Sequence, residues 1–142
     1  MRHQIPIDSL GAAGSLMGDA VQACVHCGFC LPTCPTYDPL GQEMDTPRGR
    51  IVLMKETLEG TLPLKDAMPH VDRCLGCLAC ETSCPSGVSF RALLGPFREK
   101  AARERKVLFT DRMLRHFTLG SFTRPILFRQ LAKVAFLVKP LR

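Results

Sequence analysis

The sequence predicts a mainly α-helical chain built around two copies of one cysteine motif. Three observations carry this reading. All eight cysteines of the 142 residues fall in two runs, 24–35 and 74–85, each spelled C-x-x-C-x-x-C-x-x-x-C-P and set fifty positions apart. The 39 residues between Cys34 and Cys74 have helical periodicity, with none of the short alternating strands expected of a β-hairpin iron–sulfur protein. After Cys84 apolar residues again recur at helical spacing. The expected fold is a helical ferredoxin with two [4Fe–4S] clusters, followed by a C-terminal helical tail.

The motif has a physical reason for its spacing. Three thiolates two residues apart can wrap a tight loop around three corners of a cubane. The fourth cysteine, one residue further on and followed by proline, reaches across to the other cluster in two-cluster ferredoxins. The expected ligand sets are therefore Cys24, Cys27, Cys30 and Cys84 for one cluster, and Cys74, Cys77, Cys80 and Cys34 for the other. Pro35 and Pro85 turn the chain away after ligation, since each lacks an N–H and biases its predecessor away from helix. Gly28 and Gly76 let backbone approach the sulfides, and Val25, Phe29, Leu31, Leu75 and Leu78 are expected to keep water off them. The chemistry implied is electron transfer.

Two other uses of cysteine fit less well. Zinc takes four tetrahedral ligands, commonly two C-x-x-C pairs, which leaves the third cysteine of each run and the C-P ending unexplained. A disulfide scaffold needs an oxidising compartment, and no secretory signal is found.

Composition adds an asymmetry. Residues 1–90 carry 6 Lys and Arg against 10 Asp and Glu, whereas residues 91–142 carry 13 against 3. A mildly acidic cluster domain is thus followed by a basic tail. With eight cysteines and no Trp, the clusters should form much of the core, and folding should be coupled to their assembly.

In chain order, residues 1–14 read as a flexible leader. Met1-Arg2-His3 resembles the start of a signal, but the apolar stretch between Asp8 and Asp19 is short and Gly/Ala-rich, which argues against a targeting peptide. A helix should begin near Ser15 and carry Leu16, Ala20 and Val21 into the first loop. Residues 36–41 are rich in turn formers. Thr46 is the expected N-cap and Pro47 the first position of a helix that aligns Ile51, Met54 and Leu58 and stops at Gly60. Arg48 and Arg50 have two readings, facing the anionic clusters or a partner, or standing solvated at the helix start.

Leu64, Ala67, Met68 and Val71 predict a helix shortened or kinked at Pro69. Ser86-Gly87-Val88-Ser89 should cap a helix with a stripe of Phe90, Leu93, Leu94, Phe97 and Ala101, kinked at Gly95-Pro96. The cluster domain spans 15–106. The basic amphipathic tail, 107–142, should hold a short helix near Asp111–Leu119 and a second from Pro125, carrying Ile126, Leu127, Leu131, Val134, Ala135 and Val138. Arg129, Lys133 and Lys139 break that run, so it should not span a bilayer. Packing against a partner or against residues beyond the chain is favoured over peripheral contact with an anionic membrane.

No nucleotide loop, G-x-S-x-G elbow or paired carboxylate marks a substrate site, so no catalytic residue is expected. His26 and His70 flank the cluster loops and have a hydrogen-bonding role at most, Tyr37 can shield the first loop, and His3 and His116 have no context. Nucleic-acid binding is disfavoured because the tail's phenylalanines lie on apolar faces instead of a stacking platform.

The stretches CVHCGFCLPTCPTYDPLGQEMDTPRGRIVLMKETLEG (24–60) and DRCLGCLACETSCPSGV (72–88) resemble the glycolate oxidase iron–sulfur subunit family. The P-T-Y after the first motif, the D-x-P-R-G-R-I helix start and C-E-T-x-C-P-S-G-V carry the resemblance beyond the cysteines. It implies partnership with FAD-containing subunits that oxidise glycolate or D-lactate, and electrons passed from reduced flavin toward the respiratory chain. It also implies a cytoplasmic protein held at the inner face of the membrane through a complex. Family members are usually longer, with a C-terminal cysteine-rich region, whereas here no cysteine follows Cys84. The alternatives are a stand-alone dicluster ferredoxin, or the iron–sulfur subunit of a related complex for glycerol-3-phosphate, lactate or heterodisulfide chemistry.

Overall fold

In a computed structural model, which describes residues 4–105 and 109–137, the fifty-residue repeat extends well beyond the cysteines. Helix α1 (Gly14–Gln22) leads into the first motif and helix α4 (Leu64–Asp72) into the second, with the same fifty-residue offset at both ends. A short helical turn, α2 (Tyr37–Leu40), follows the first motif and another, α5 (Ala79–Thr82), lies within the second; each motif then leads to a long helix, α3 (Pro47–Leu58) or α6 (Phe90–Glu104). A 3-10 turn at Glu43–Asp45 precedes α3. No strand occurs among the described residues.

The two repeats interlock. Helix α1 packs on α6, and α4 packs on α3, so each leading helix rests on the long helix of the other repeat. The core sits where the four meet. Met17 and Val21 of α1, Ile51, Met54 and Leu58 of α3, Met68 and Val71 of α4, and Leu93, Leu94 and Phe97 of α6 are all buried. The periodic residues expected on α3 and α6 are these core residues. Complete burial of one large apolar side chain contributes about 1.5–3 kcal/mol.

Local chemistry explains where α3 starts. The Thr46 hydroxyl accepts from the Gly49 N–H at 2.9 Å and donates to the Glu43 carbonyl at 2.7 Å, and Pro47 occupies the first turn, where its missing N–H costs nothing. A Cβ at Gly49 would run into that same Glu43 carbonyl, so this cap needs glycine. Helix α4 continues through Pro69 and α6 through Gly95-Pro96.

The segment expected as an unpatterned leader has structure. Residues Ile7–Ala13 form a 3-10 helix interrupted at Gly11, and Ile5, Leu10 and Ala13 rest against the core. The Gln4 N–H donates to Glu59 at 2.7 Å, tying this segment to the end of α3.

The chain divides into two compact units, Met1–Glu104 and Arg105–Arg142. In the second, α7 (Phe109–Phe122) and α8 (Pro125–Leu137) pack on each other, with the Phe122 and Phe128 rings 5.3 Å apart. Phe109, Met113, Leu114, Phe117, Leu119 and Ile126 are exposed. Val107, Val138 and Lys139, and the side chains of Leu127, Leu131, Val134 and Ala135, lie outside the described residues. No helix among those described is long and apolar enough to cross a membrane.

Candidate metal centre

Each cysteine loop is shaped by two left-handed residues. They are His26 (φ 56°) and Gly28 (φ 86°) in the first loop, and Gly76 (φ 67°) and Leu78 (φ 60°) in the second. These are the same two places of the repeat, with glycine at one place in each copy. Such kinks fold successive N–H groups into a concave nest suited to anionic groups, including iron–sulfur sites. The bonds that follow are matched too. Leu31 N–H donates to Gly28 O at 3.0 Å and Cys34 N–H to Leu31 O at 3.1 Å, where the second loop has Glu81 to Leu78 at 2.9 Å and Cys84 to Glu81 at 3.2 Å. Thr33 and Ser83, equivalent residues of the two motifs, meet hydroxyl to hydroxyl at 3.1 Å. A pseudo-twofold axis therefore passes between the loops.

The eight thiols are free and line two cavities. Cys24, Cys27, Cys30 and Cys84 line one of about 420 Å³, part of it open to solvent. Cys34, Cys74, Cys77 and Cys80 line the other, of about 310 Å³ and likewise partly open to solvent. Pro47, Phe90 and Cys80 border both, so the wall between them is thin. With Cys80 on the shared wall, the first cavity meets three thiols of the first repeat and two of the second, and the other meets three of the second repeat and Cys34 of the first. Among the described residues no three of His, Cys, Asp and Glu close on a single-ion site; the thiols stand around the walls of a larger space. Two quartets of unpaired thiols in separate concave sites fit a donor set for [4Fe–4S] clusters.

Electrostatics distinguishes the thiols. Burial pushes the Cys24 and Cys30 thiols up, and burial together with the neighbouring Cys74, Cys30 and Cys34 pushes Cys80 up to about 12. Cys34 goes the other way. Burial acts upward on it too, but hydrogen bonds from the Thr36 side chain, the backbone at Thr36 and Tyr37, and Arg50 outweigh burial.

Three arginines serve these loops. Arg48 donates to the His26 carbonyl at 3.1 Å and pairs with Glu43 at 2.7 Å. Arg98, its equivalent in the second repeat, donates to the carbonyls of Cys74 at 2.6 Å and Val71 at 2.7 Å. Arg50 is 1% exposed. It donates to the His70 carbonyl at 2.8 Å and to Thr36 Oγ1 at 3.0 Å, lies 3.7 Å from Cys34 Sγ, and faces the fully buried Asp45 carboxylate at 3.5 Å. Asp45 also holds Arg73 at 3.0 Å and His70 Nδ1 at 3.2 Å. The solvated reading of Arg50 therefore does not hold.

Val25, Phe29 and Leu75 are 65–70% exposed, with Val25 on the wall of the first cavity and Leu75 on that of the second, while Leu31 and Leu78 are half-buried. His70 is tied to Asp45, and the His26 backbone N–H donates to the Cys24 thiol. Sequence reasoning missed Thr36, Asp45, Arg98 and the Thr33–Ser83 contact. Extending the fifty-residue offset beyond the cysteines would have found Arg98 from Arg48, and Ser83 from Thr33.

Comparison with known proteins agrees with this geometry. The 4Fe-4S dicluster domain family matches residues 20–88. The glycolate oxidase iron–sulfur subunit of Escherichia coli (strain K12) is 43% identical over 141 residues, 99% of this chain and 35% of that protein. The probable glycolate oxidase iron–sulfur subunit of Bacillus subtilis (strain 168) is 46% identical over 94 residues, 65% of this chain and 21% of that protein. The matches thus span about a third and about a fifth of the lengths of these two curated relatives. No solved structure matches it. The cofactors are two [4Fe–4S] clusters. Residues 20–88 match the 4Fe-4S dicluster domain family, and the curated relatives of the chain are iron–sulfur subunits of glycolate oxidase.

Proposed function

We propose that this chain is the electron-transfer iron–sulfur subunit, or a part of one, of a flavin-dependent 2-hydroxyacid oxidoreductase acting on glycolate or D-lactate. In this reading Cys24, Cys27, Cys30 and Cys84 hold one cluster, and Cys74, Cys77, Cys80 and Cys34 the other. The observation that carries it is the meeting of two crossed thiol quartets at cavities that share the wall formed by Pro47, Cys80 and Phe90. The relatives' identity as glycolate oxidase subunits supports the enzyme class. Bound [4Fe–4S] clusters supply one-electron chemistry.

The chain's own residues have separable tasks. The eight thiolates bind, and the left-handed kinks at His26, Gly28, Gly76 and Leu78 aim backbone N–H groups inward. Arg48 and Arg98 brace the loops through backbone carbonyls. Val25, Phe29 and Leu75 form an exposed apolar rim on the loops, suited to a partner that brings its own redox centre close. That partner is a catalytic subunit carrying FAD. The complex is cytoplasmic and meets the inner face of the membrane, with the basic tail available for peripheral contact.

Affinity purification of the tagged chain from its native host under anaerobic conditions tests this. A co-purifying flavoprotein that reduces the chain when given glycolate or D-lactate is the expected result. A monodisperse monomer with both clusters and no flavoprotein would instead indicate a stand-alone dicluster ferredoxin.

A further inference from the structure

The two cavities have the same loops but not the same surroundings. Cys34 Sγ sits 3.2 Å from Thr36 Oγ1 and 3.7 Å from Arg50 Nη1. Arg50 is fixed in place by Asp45, Thr36 and the His70 carbonyl, out of contact with water. Beside this thiol the buried Arg50 shares the Asp45 carboxylate with His70 and with Arg73, whose side chain is 48% exposed. Arg98 donates to the backbone of Cys74 in the same quartet.

Fifty residues on, the arrangement is not repeated. Thr36 becomes Ser86, Asp45 becomes Gly95, and Arg50 becomes Lys100, which is partly exposed and pairs with Glu104. The cation nearest the first quartet, Arg48, is 29% exposed and matched one-to-one by Glu43. Reduction adds negative charge to a cluster. Buried donors beside a ligand sulfur stabilise that charge more than exposed ones do.

We propose that Arg50, positioned by Asp45 and Thr36, sets the reduction potential of the cluster at Cys34 above that of the cluster at Cys84, so that a single added electron rests in the cavity of Cys34, Cys74, Cys77 and Cys80. This rests on the crossed ligand assignment above. Arg50 and Thr36 act here as positioning and tuning residues. The Thr36 hydroxyl has one proton, and it lies 3.1 Å from the Asp45 carbonyl as well as near Cys34. With Cys34 ligated as a thiolate, the sulfur is an acceptor, and Arg50 occupies a lone pair of the same hydroxyl.

The test uses the full 142-residue chain reconstituted anaerobically with iron and sulfide. It is titrated with dithionite through redox mediators, with EPR read at each potential. Wild type should take up one electron in each of two resolved steps. Thr36→Val should lower the upper step by about 59 mV, a roughly tenfold loss of the reduced form at fixed potential, and leave the lower step in place. Arg50→Lys, which keeps the charge but not the fork, should shift the same step in the same direction. A second measurement does not depend on these variants. Cys84→Ser, left with the Cys34 quartet, should titrate at the wild-type upper step, and Cys34→Ser at the lower one. The reverse order, or Thr36→Val and Arg50→Lys chains that carry two clusters with an unmoved upper step, would overturn the inference while leaving the two-cluster reading intact. A wild-type chain that takes up no iron and sulfide would overturn both.

Discussion

The two repeats agree where the cysteines need them to agree and differ in what surrounds one sulfur. Leading helix, left-handed loop residues, turn hydrogen bonds and the arginine at the next helix recur at a fifty-residue offset. These parts set the shape of a thiol loop, and a change in either copy would misplace three ligands. Asp45, Arg50 and Thr36 have no full counterpart in Gly95, Lys100 and Ser86. The lesson is that the repeat supplies two holders, and residues outside the common scaffold make them unequal.

The largest break in this symmetry comes from a fourth cysteine. If the ligands cross, Cys34→Ser empties the cavity of the second loop, and Cys84→Ser that of the first. Each variant should hold about four irons instead of about eight. Iron analysis, with the potential of the remaining cluster, shows which loop is lost. Uncrossed ligands would exchange the two results.

Next in size is the buried ion pair. Arg50→Met leaves Asp45 with Arg73 and His70 alone inside the protein and should cost about 3–5 kcal/mol, because a buried charge loses a partner. The equivalent Lys100→Met removes a partly exposed pair with Glu104 four residues away and should cost about 0.3–0.5 kcal/mol. Anaerobic urea denaturation of both variants measures the contrast. Equal losses would mean that the two sites are electrostatically alike.

The N-cap of α3 comes third. Thr46→Ala removes the acceptor of the Gly49 N–H and should cost about 0.5–2 kcal/mol in the same assay. The smallest effect belongs to the axis itself. Thr33→Ala and Ser83→Ala should each cost about 0.5–1.5 kcal/mol at most, and the double variant should cost less than their sum, since they lose one shared bond.

Much of this architecture was legible before any coordinates. The cysteine spacing marked both loops, Thr46-Pro47 marked the start of α3, and the stripe from Phe90 to Ala101 marked a buried face of α6, because each is a local pattern with a local cause. Asp45 was not legible. An acid between Met44 and Thr46 in a turn reads as a surface residue, and the partners that bury it, His70 and Arg73, come from a helix 25 and 28 residues away. Arg50 was ambiguous for the same reason. The exposure of Val25, Phe29 and Leu75 was not legible because an irregular loop has no period from which to tell an inward residue from an outward one. The structured segment Ile7–Ala13 was missed because its contacts, through Ile5, Leu10 and Ala13, are tertiary and too sparse to form a pattern.

The central claim is that eight thiolates hold two cubane clusters. The direct measurement is a count of iron and acid-labile sulfide per chain after anaerobic reconstitution, followed by EPR of the reduced protein. About eight of each, with signals from two interacting clusters, is the predicted result. Zinc without sulfide, or about four irons on the unaltered chain, would contradict it.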